Sequence, residues 1–280
     1  MSYKTILVHL DSSPRCEART VLAAQWARIH GAHLVGLVPS GLQDGVIPAS
    51  DLAGRNVDFI AESAEFLRRR AEAVARAFYR NIGGAQAIAH EVRLVDSTAI
   101  DAVVQHGRTS DLVVLGQHDG RHDPGATSAD LAQRALMELG RPILMVPFAG
   151  NFEGATRHAV VAWNGSREAG VALRAALPAL KQAAKVTLIN WCRPRGEGNG
   201  QELLVREMLQ YLQRHGIEAS AEGDVTEIEM GDAFLSRIGE LGADLLVMGG
   251  YGHSRFRELV LGGATRQILA RMTVPVLIAH

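Results

Sequence analysis

The 280-residue sequence has few cysteines, few aromatic residues and no excess of either charge. Its two cysteines, Cys16 and Cys192, are far apart and share no motif with a histidine, which argues against a disulfide framework and favours a reducing compartment. The formal net charge is −1, so the chain as a whole creates no field that would attract nucleic acid or an anionic membrane. No apolar run approaches the roughly 20 residues of a membrane-spanning helix.

Signals for secretion, catalysis and metal binding are also missing. The opening segment MSYKTILVHLDSS has no basic stretch followed by a long apolar one, so we expect no signal peptide and a cytoplasmic location. Neither G-x-S-x-G nor G-x4-G-K-[ST] occurs, so we assign no catalytic residue. His118 and His122 have H-x3-H spacing, but Gly120, Pro124 and Gly125 predict a loop there. With no third ligand in view, we assign no metal site.

Three segments recur in the same order in the two halves of the chain, which indicates an internal repeat. The first half carries about 20 additional residues between its first and second segments, and we place this excess at 40–63. The glycine-rich stretch 147–157 is typical of a boundary, so we predict domains at 1–150 and 151–280. The recurring pairs are TILVHLDSS (5–13) with HAVVAWNGS (158–166), DLVVLG (111–116) with DLLVMG (244–249), and RPILMVP (141–147) with VPVLIAH (274–280).

Each half alternates short apolar runs, rich in β-branched residues, with amphipathic stretches. Such runs suit strands that are buried on both faces of a parallel sheet. We therefore predict an α/β fold with five strands and four helices in each half, doubly wound by right-handed crossovers. Ser12 and Ser13 are expected to cap the first helix, and long helices are predicted at 63–84 and 201–216. Such sheets bind ligands beyond the carboxyl ends of their strands.

The stretch VMGGYGHSRFRELVLGG at 247–263 is the most informative segment of the second half. Gly249 follows a predicted strand, where glycine lets the backbone approach a phosphate closely. Gly262 and Gly263 precede a predicted helix, whose N-terminus offers free N–H groups and a partial positive charge to anions. Glycines at strand ends and helix starts also serve turns alone, so a phosphate cradle and a purely structural loop both remain open.

The G-x2-G-x9-G spacing of this stretch resembles the nucleotide pattern of the universal stress protein family, in its tandem form. The segments VVAWNGS and VPVLIA likewise resemble the family's first and last strands. The resemblance implies two tandem doubly wound five-stranded domains, adenine nucleotide alpha hydrolase-like, with strand order 3-2-1-4-5. It also implies a regulatory role in stress responses and an ATP or AMP ligand, with or without Mg²⁺.

The resemblance further implies which residues of the second half meet the nucleotide. Ala162 and Asn164 would contact the adenosine, and Trp191 would border the base. The residues that would offer backbone groups to the phosphates are Met248, Gly249, Gly252, Gly262, Gly263 and Ala264.

Two of these positions depart from the family pattern. Gly263 stands where serine or threonine is usual, which removes a hydroxyl worth about 1 kcal/mol as one neutral hydrogen bond. Thr265, two residues later, is a candidate replacement. Asn164 stands where aspartate is usual, and it could either accept a ribose hydroxyl through its amide oxygen or cap the following helix beside Gly165 and Ser166.

The first half has lost the glycine pattern in GQHDGRHDPGATSADLAQRAL (116–136). No glycine lies three residues after Gly116, and Pro124 and Asp130 fall where a phosphate cradle needs free N–H groups and no negative charge. No glycine is expected at the start of the helix predicted near 129–137. We therefore expect the first domain to bind no nucleotide in the family manner.

The terminal strands RPILMVP and VPVLIAH should lie at sheet edges, and exposed apolar edges tend to be paired or covered. We expect the two domains to pack as a pseudo-dimer within the chain, in part through these strands, and two chains to form a homodimer. No nucleic-acid or membrane partner is expected. Two alternatives remain open: an interaction module that binds no nucleotide, and a slow nucleotide hydrolase that uses the same pocket.

Overall fold

A computed structural model describes residues 2–41, 57–83, 88–118, 126–152, 154–192, 198–225, 229–250 and 263–280. Within these residues the first half contains β1 (Thr5–His9), α1 (Cys16–His30), β2 (His33–Pro39), α2 (Val57–Ile82), β3 (His90–Val95), α3 (Ala99–Gly107), β4 (Leu112–Gly116), α4 (Ala126–Glu138) and β5 (Ile143–Val146). The second half contains β6 (His158–Ala162), α5 (Arg167–Leu180), β7 (Lys185–Cys192), α6 (Gly198–Arg214), β8 (Ala219–Val225), α7 (Met230–Leu241), β9 (Leu245–Gly249), α8 (Gly263–Arg271) and β10 (Val276–Ala279).

The strands form one sheet with the order β3-β2-β1-β4-β5-β10-β9-β6-β7-β8. Within each half every pairing is parallel, and each half has the order 3-2-1-4-5. The predicted α/β class and doubly wound topology are therefore confirmed. The order reverses between β1 and β4 in the first half and between β6 and β9 in the second, which is where such sheets bind ligands.

The two halves join through β5 and β10, which pair antiparallel. Ile143 lies opposite Ile278, Leu144 opposite Leu277, and Met145 opposite Val276. Leu144 and Leu277 are both fully buried. The expectation that the terminal strands pair within the chain is correct, because each covers the apolar edge that the other would otherwise expose. The domain boundary at residue 150 lies between β5 and β6 and remains a prediction.

The strands are buried on both faces, as their apolar runs predicted. In β1, Ile6 and Val8 pack into a core on one side of the sheet, whereas Leu7 packs into a core on the other. All three side chains are fully buried. This alternation is the direct result of the two-residue period of a strand.

Three helices begin earlier than the sequence indicated, one of them α6, which runs from Gly198 to Arg214 rather than over 201–216. α2 begins at Val57 rather than residue 63, so the predicted insertion at 40–63 includes its first turns, while residues 42–56 lie outside the described part. α4 begins at Ala126, directly after Gly125 in the sequence, rather than near residue 129. The expectation that no glycine precedes this helix is therefore wrong. Alanine, the strongest helix former, occurs at both 126 and 129 and favours the earlier start.

The pairing of β5 with β10 predicts energetic coupling between the two halves. Leu144→Ala and Leu277→Ala should each lower the free energy of unfolding by about 2–5 kcal/mol, because each leaves a cavity in the core. Since the two positions face each other across the pairing, the double variant should differ from additivity by at least about 0.5 kcal/mol. Urea unfolding of the four proteins measures this coupling.

A matched pair tests whether the coupling belongs to the β5–β10 contact. Leu34 is as buried as Leu277 but lies in β2, four strands from β10. Leu34→Ala combined with Leu277→Ala should therefore be additive. Strict additivity of the Leu144 and Leu277 pair would contradict an intact interface between the halves.

Candidate functional site

The carboxyl ends of β6, β7 and β9 meet at one edge of the second half. These strands are neighbours and parallel, with Ala162 opposite Ile189 and Val161 opposite Val247. Ala162, Trp191, Met248 and Gly249 lie in the last residues of these strands and therefore share that edge. Gly263 and Ala264 begin α8. Two of the predicted site residues, Gly252 and Gly262, lie outside the described residues.

Gly249 has a packing reason to be glycine. A Cβ atom there would lie 2.5 Å from the amide nitrogen of Ala169 and 2.6 Å from the carbonyl carbon of Glu168, both in the first turn of α5. Backbone atoms cannot move aside as a flexible side chain can, so only glycine permits this approach. The residue therefore serves the contact between β9 and α5, whatever else binds nearby.

Gly250 continues the sheet rather than offering its amide to a ligand. Its N–H donates to the carbonyl of Ala279 at 2.9 Å. A Cβ atom there would lie 2.6 Å from Cδ2 of Leu136, a residue of the first half. The backbone just after β9 is thus fixed against both β10 and α4.

Ser166, rather than Asn164, caps α5, and Asn164 instead holds the turn before the helix. Its Oδ1 accepts the backbone N–H of Ser166 at 3.0 Å, and the hydroxyl of Ser166 accepts the N–H of Ala169 at 3.2 Å. Gly165 between them has φ of 73°, which favours glycine. A contact from Asn164 to ribose remains a prediction, and it would have to coexist with this turn.

Trp191 packs against a residue that the sequence analysis missed. Its ring centroid lies 5.2 Å from that of Phe234 in α7, with the planes tilted by 36°. The indole is half-buried, so one part contacts the core while another part stays accessible. That arrangement suits a residue at the border of a ligand.

Two buried polar atoms near this edge have no hydrogen-bond partner among the described residues: Nε1 of Trp163 and Oδ1 of Asn190. Their residues are 7% and 6% exposed. An unpartnered buried donor or acceptor is costly, so such atoms are sites for a water or a ligand. Asn190 interrupts the apolar strand KVTLINWC, which was the available signal in the sequence.

The start of α8 is accessible, whereas Thr265, the candidate replacement for the hydroxyl missing at Gly263, is not at the surface. Gly263 is exposed, and a Cβ atom added there would meet no atom within 4 Å. Thr265, by contrast, is buried at 5% exposure. The first amides of a helix have no partner within the helix and remain available to an anion.

The other end of α8 is held by the first half. The side-chain amide of Gln117 donates to the carbonyls of Leu269 and Ala270 at 3.0 and 2.9 Å. Its carbonyl oxygen accepts the N–H of Phe148 at 2.8 Å. Gln117 therefore satisfies carbonyl groups that the last turn of a helix leaves unpaired.

The first half contains a cavity of about 680 Å³ that the sequence analysis did not predict. It lies at the carboxyl ends of β1, β2 and β4, the edge at which a doubly wound domain binds ligands. Its charged lining residues are Asp11, Arg15, Arg19 and Arg70. Apolar residues, including Val38 and Phe148, form much of the remaining wall.

An ion pair between Asp11 and Arg19 forms part of the lining of this cavity. Nη2 of Arg19 lies 2.9 Å from Oδ2 of Asp11. Burial disfavours the carboxylate, but Arg19, His9 and hydrogen bonds from Ser13 outweigh it and hold the pKa of Asp11 well below its usual range. Burial also lowers the pKa of His9 to about 4, so its imidazole is neutral near pH 7.

The same ion pair explains why Ser12 and Ser13 do not cap α1. The amide and hydroxyl of Ser13 both donate to Oδ1 of Asp11, and Ser12 accepts hydrogen bonds from Arg70. α1 begins only at Cys16, with Arg15 at its cap position and no side-chain cap. The predicted capping role is therefore wrong.

Arg19 occupies the space beside Gly116, the counterpart of Gly249 in the repeat. A Cβ atom at Gly116 would lie 2.1 Å from Nη1 of Arg19. In the second half the equivalent glycine meets helix backbone, whereas here it meets a guanidinium. Arg19 is 3% exposed, and its Nε and Nη2 are buried without a partner in hydrogen-bond geometry among the described residues, although Oδ2 of Asp11 lies 2.9 Å from Nη2.

Membrane and metal features were also sought in the described residues. No helix there is long and apolar enough to cross a membrane. No group of three or more histidine, cysteine or acidic side chains there could hold a metal ion. His122 of the H-x3-H pair lies outside the described part of the chain.

Comparison with known proteins gives a family match in the second half. Residues 155–280 match the model of the Universal stress protein family. A universal stress protein of Synechocystis sp. is 56% identical over 34 residues, and this stretch covers only 12% of this chain and 12% of that protein.

Solved structures resemble the whole chain in fold. A universal stress protein from Archaeoglobus fulgidus superposes with a TM-score of 0.74 at 15% identity, over 98% of this chain and 97% of its own. A functionally unknown protein from Pseudomonas aeruginosa PAO1 has a TM-score of 0.55 at 13% identity, over 99% and 92% of the two chains.

The matched segment includes every strand of the second half, from β6 to β10, and the glycine stretch between β9 and α8. The resemblance inferred from that glycine spacing is confirmed for the second half, where residues 155–280 match the universal stress protein family model.

Proposed function

We propose that the second domain, residues 151–280, binds an adenine nucleotide, ATP or AMP, with or without Mg²⁺. The protein then acts as a cytoplasmic stress-response regulator whose signal is its nucleotide state. The first domain, residues 1–150, lacks the glycine pattern and contributes no nucleotide site of the family type. No catalytic residue is assigned.

The observation that carries the proposal is the placement of the G-x2-G-x9-G segment. β9 ends at Gly249, the first glycine of the pattern, and α8 begins at Gly263, directly after the last. A phosphate cradle needs this order: a strand that ends at the ligand edge, a glycine-rich connection, and a helix N-terminus. Ala162 and Trp191, on the neighbouring strands, supply the side where the adenosine would lie.

One observation favours the alternative of an interaction module without nucleotide. The contact of Gly249 with the first turn of α5 accounts for this glycine without any ligand. The spacing of all three glycines, rather than any one of them, therefore has to be tested. A slow hydrolase in the same pocket is distinguished by phosphate release over time.

Gly252→Asp should abolish the binding of ATP–Mg²⁺, because aspartate adds bulk and negative charge beside the proposed phosphates. Isothermal titration calorimetry of wild type and variant measures the loss. Gly239→Asp is the matched control, since it makes the same change in charge at an exposed glycine with open space around it. Gly239 lies near the C-terminal end of α7, which leads into the amino end of β9, whereas the proposed site lies at the carboxyl end of β9. The Gly239→Asp variant should therefore bind nucleotide as wild type does.

Either of two results would reject the nucleotide proposal. Wild type could give neither heat nor a thermal shift at millimolar nucleotide, which would favour the interaction module. Alternatively, Gly252→Asp could bind as tightly as wild type, which would place the nucleotide elsewhere. Release of phosphate from ATP by wild type, absent from Gly252→Asp, would instead identify the hydrolase.

Gly263→Ser should tighten nucleotide binding by up to about tenfold, because it restores the hydroxyl that the family pattern has at this position. The added Cβ meets open space, so the substitution needs no rearrangement. Gly263→Ala fills the same space without a hydroxyl and should bind as wild type does. Equal affinities of the serine and alanine variants would mean that no phosphate approaches this end of α8.

We also propose that two chains form a homodimer. Because β5 and β10 already pair within the chain, the dimer has to use another surface than the terminal strands. Sedimentation or light scattering should then give about twice the 30.1 kDa mass of one chain. A single species of the monomer mass at micromolar concentration would exclude the dimer.

A further inference from the structure

We propose that the cavity of the first half is a second ligand site, which takes an oxyanion, phosphate or carboxylate, attached to a small apolar body. Its charge comes from the side chain of Arg19 rather than from backbone amides of a glycine loop. The site is independent of the nucleotide proposed for the second domain.

Arg19 provides the main argument, because a buried guanidinium needs more partners than this one has. It carries five N–H donors, and Nε and Nη2 are buried without an acceptor that meets hydrogen-bond geometry in the described part of the chain, so Asp11 and the side chain of Cys16 satisfy this guanidinium only in part. The ion pair with Asp11 keeps it charged. An oxyanion in the cavity would supply the missing acceptors through the charge-assisted hydrogen bonds that guanidinium groups favour.

The charge of the lining also favours an anion. Three arginines, Arg15, Arg19 and Arg70, face one carboxylate, Asp11, while the low pKa of His9 leaves that residue neutral. Arg15 donates to the carbonyl of Gly150, but its Nε is likewise buried without a partner among the described residues. The cavity thus has excess positive charge and more than one unpaired donor.

The walls explain why the ligand needs an apolar part. Val38, Ile100 and Leu131 are buried core residues that also line the cavity, and Phe148 and Leu67 complete this side. A volume of about 680 Å³ falls in the usual range for small-molecule sites, well above the size of a bare phosphate. Apolar walls with a few fixed polar groups are typical of pockets for small organic ligands.

The first experiment compares four probes by calorimetry on the full-length Gly252→Asp protein, so that the glycine stretch cannot contribute. Phenyl phosphate and benzoate carry both features, inorganic phosphate lacks the apolar body, and benzyl alcohol lacks the charge. Phenyl phosphate or benzoate should bind about ten times more tightly than inorganic phosphate and about ten times more tightly than benzyl alcohol. The tighter of phenyl phosphate and benzoate identifies the oxyanion.

Arg19→Met should weaken the preferred probe at least tenfold, since it removes a charge-assisted hydrogen bond but keeps an apolar side chain of similar reach. Arg108→Met is the matched control: it makes the same change in charge, but Arg108 follows α3 and is no part of the cavity lining. This variant should retain full affinity.

Gly116→Ala tests the position of the guanidinium without removing it. The new methyl group would overlap Nη1, the mobile end of a side chain, so Arg19 has to shift while the fold persists. This variant should also weaken binding several-fold, and it decides the question if Arg19→Met fails to fold. The proposal is wrong if no probe binds at millimolar concentration, if benzyl alcohol binds as well as the anions, or if Gly116→Ala and any folded Arg19 variant retain wild-type affinity.

Discussion

The antiparallel pairing of β5 with β10 determines where every candidate site of this protein lies. Strands run parallel within each half, so each half has one ligand edge, at the carboxyl ends of its strands. Because direction reverses where the halves meet, the carboxyl end of β4 lies towards the amino end of β10. The contacts of Gln117 with Leu269 and Ala270, in the helix that leads into β10, agree with this geometry. The two ligand edges therefore face opposite ends of the sheet and cannot share one ligand.

The two halves use the same backbone plan for different chemistry. Each has a glycine at the end of its fourth strand, and each first helix approaches it. In the second half, the small side chains of α5 let the helix backbone reach Gly249. In the first half, Arg19 corresponds to Ala172 when the alignment of TILVHLDSS with HAVVAWNGS is extended into the helix, and its guanidinium fills the space beside Gly116. The two proposed sites therefore differ in chemistry: backbone amides would serve the second half, and the side-chain charge of Arg19 would serve the first.

The fold could be predicted well because its signals are local. The apolar runs of the strands and the recurrence of three segments were enough to give the strand content and the doubly wound class, and the apolar terminal strands indicated how the halves meet. The cavity could not be predicted, because Asp11 and Arg19 are eight residues apart, and an arginine in an amphipathic helix usually faces solvent. Only the packing of α1 on β4 turns that side chain inward. The capping role expected for Ser13 failed for the same reason, since Asp11, held by Arg19, accepts its hydroxyl instead.

α8 reaches both ligand edges, as does α4, which lines the cavity with Leu131 and lies against Gly250 through Leu136. The first residue of α8, Gly263, lies at the end of the glycine stretch, and its last carbonyls are held by Gln117, which also lines the cavity of the first half. Its nine residues span only about 13 Å, so the two ends of this helix lie close together. The second domain alone would lose this C-terminal cap and the contact of Leu136 with Gly250. The edge proposed to bind nucleotide is therefore shaped in part by residues of the first half, which gives a physical reason for both domains to remain in one chain.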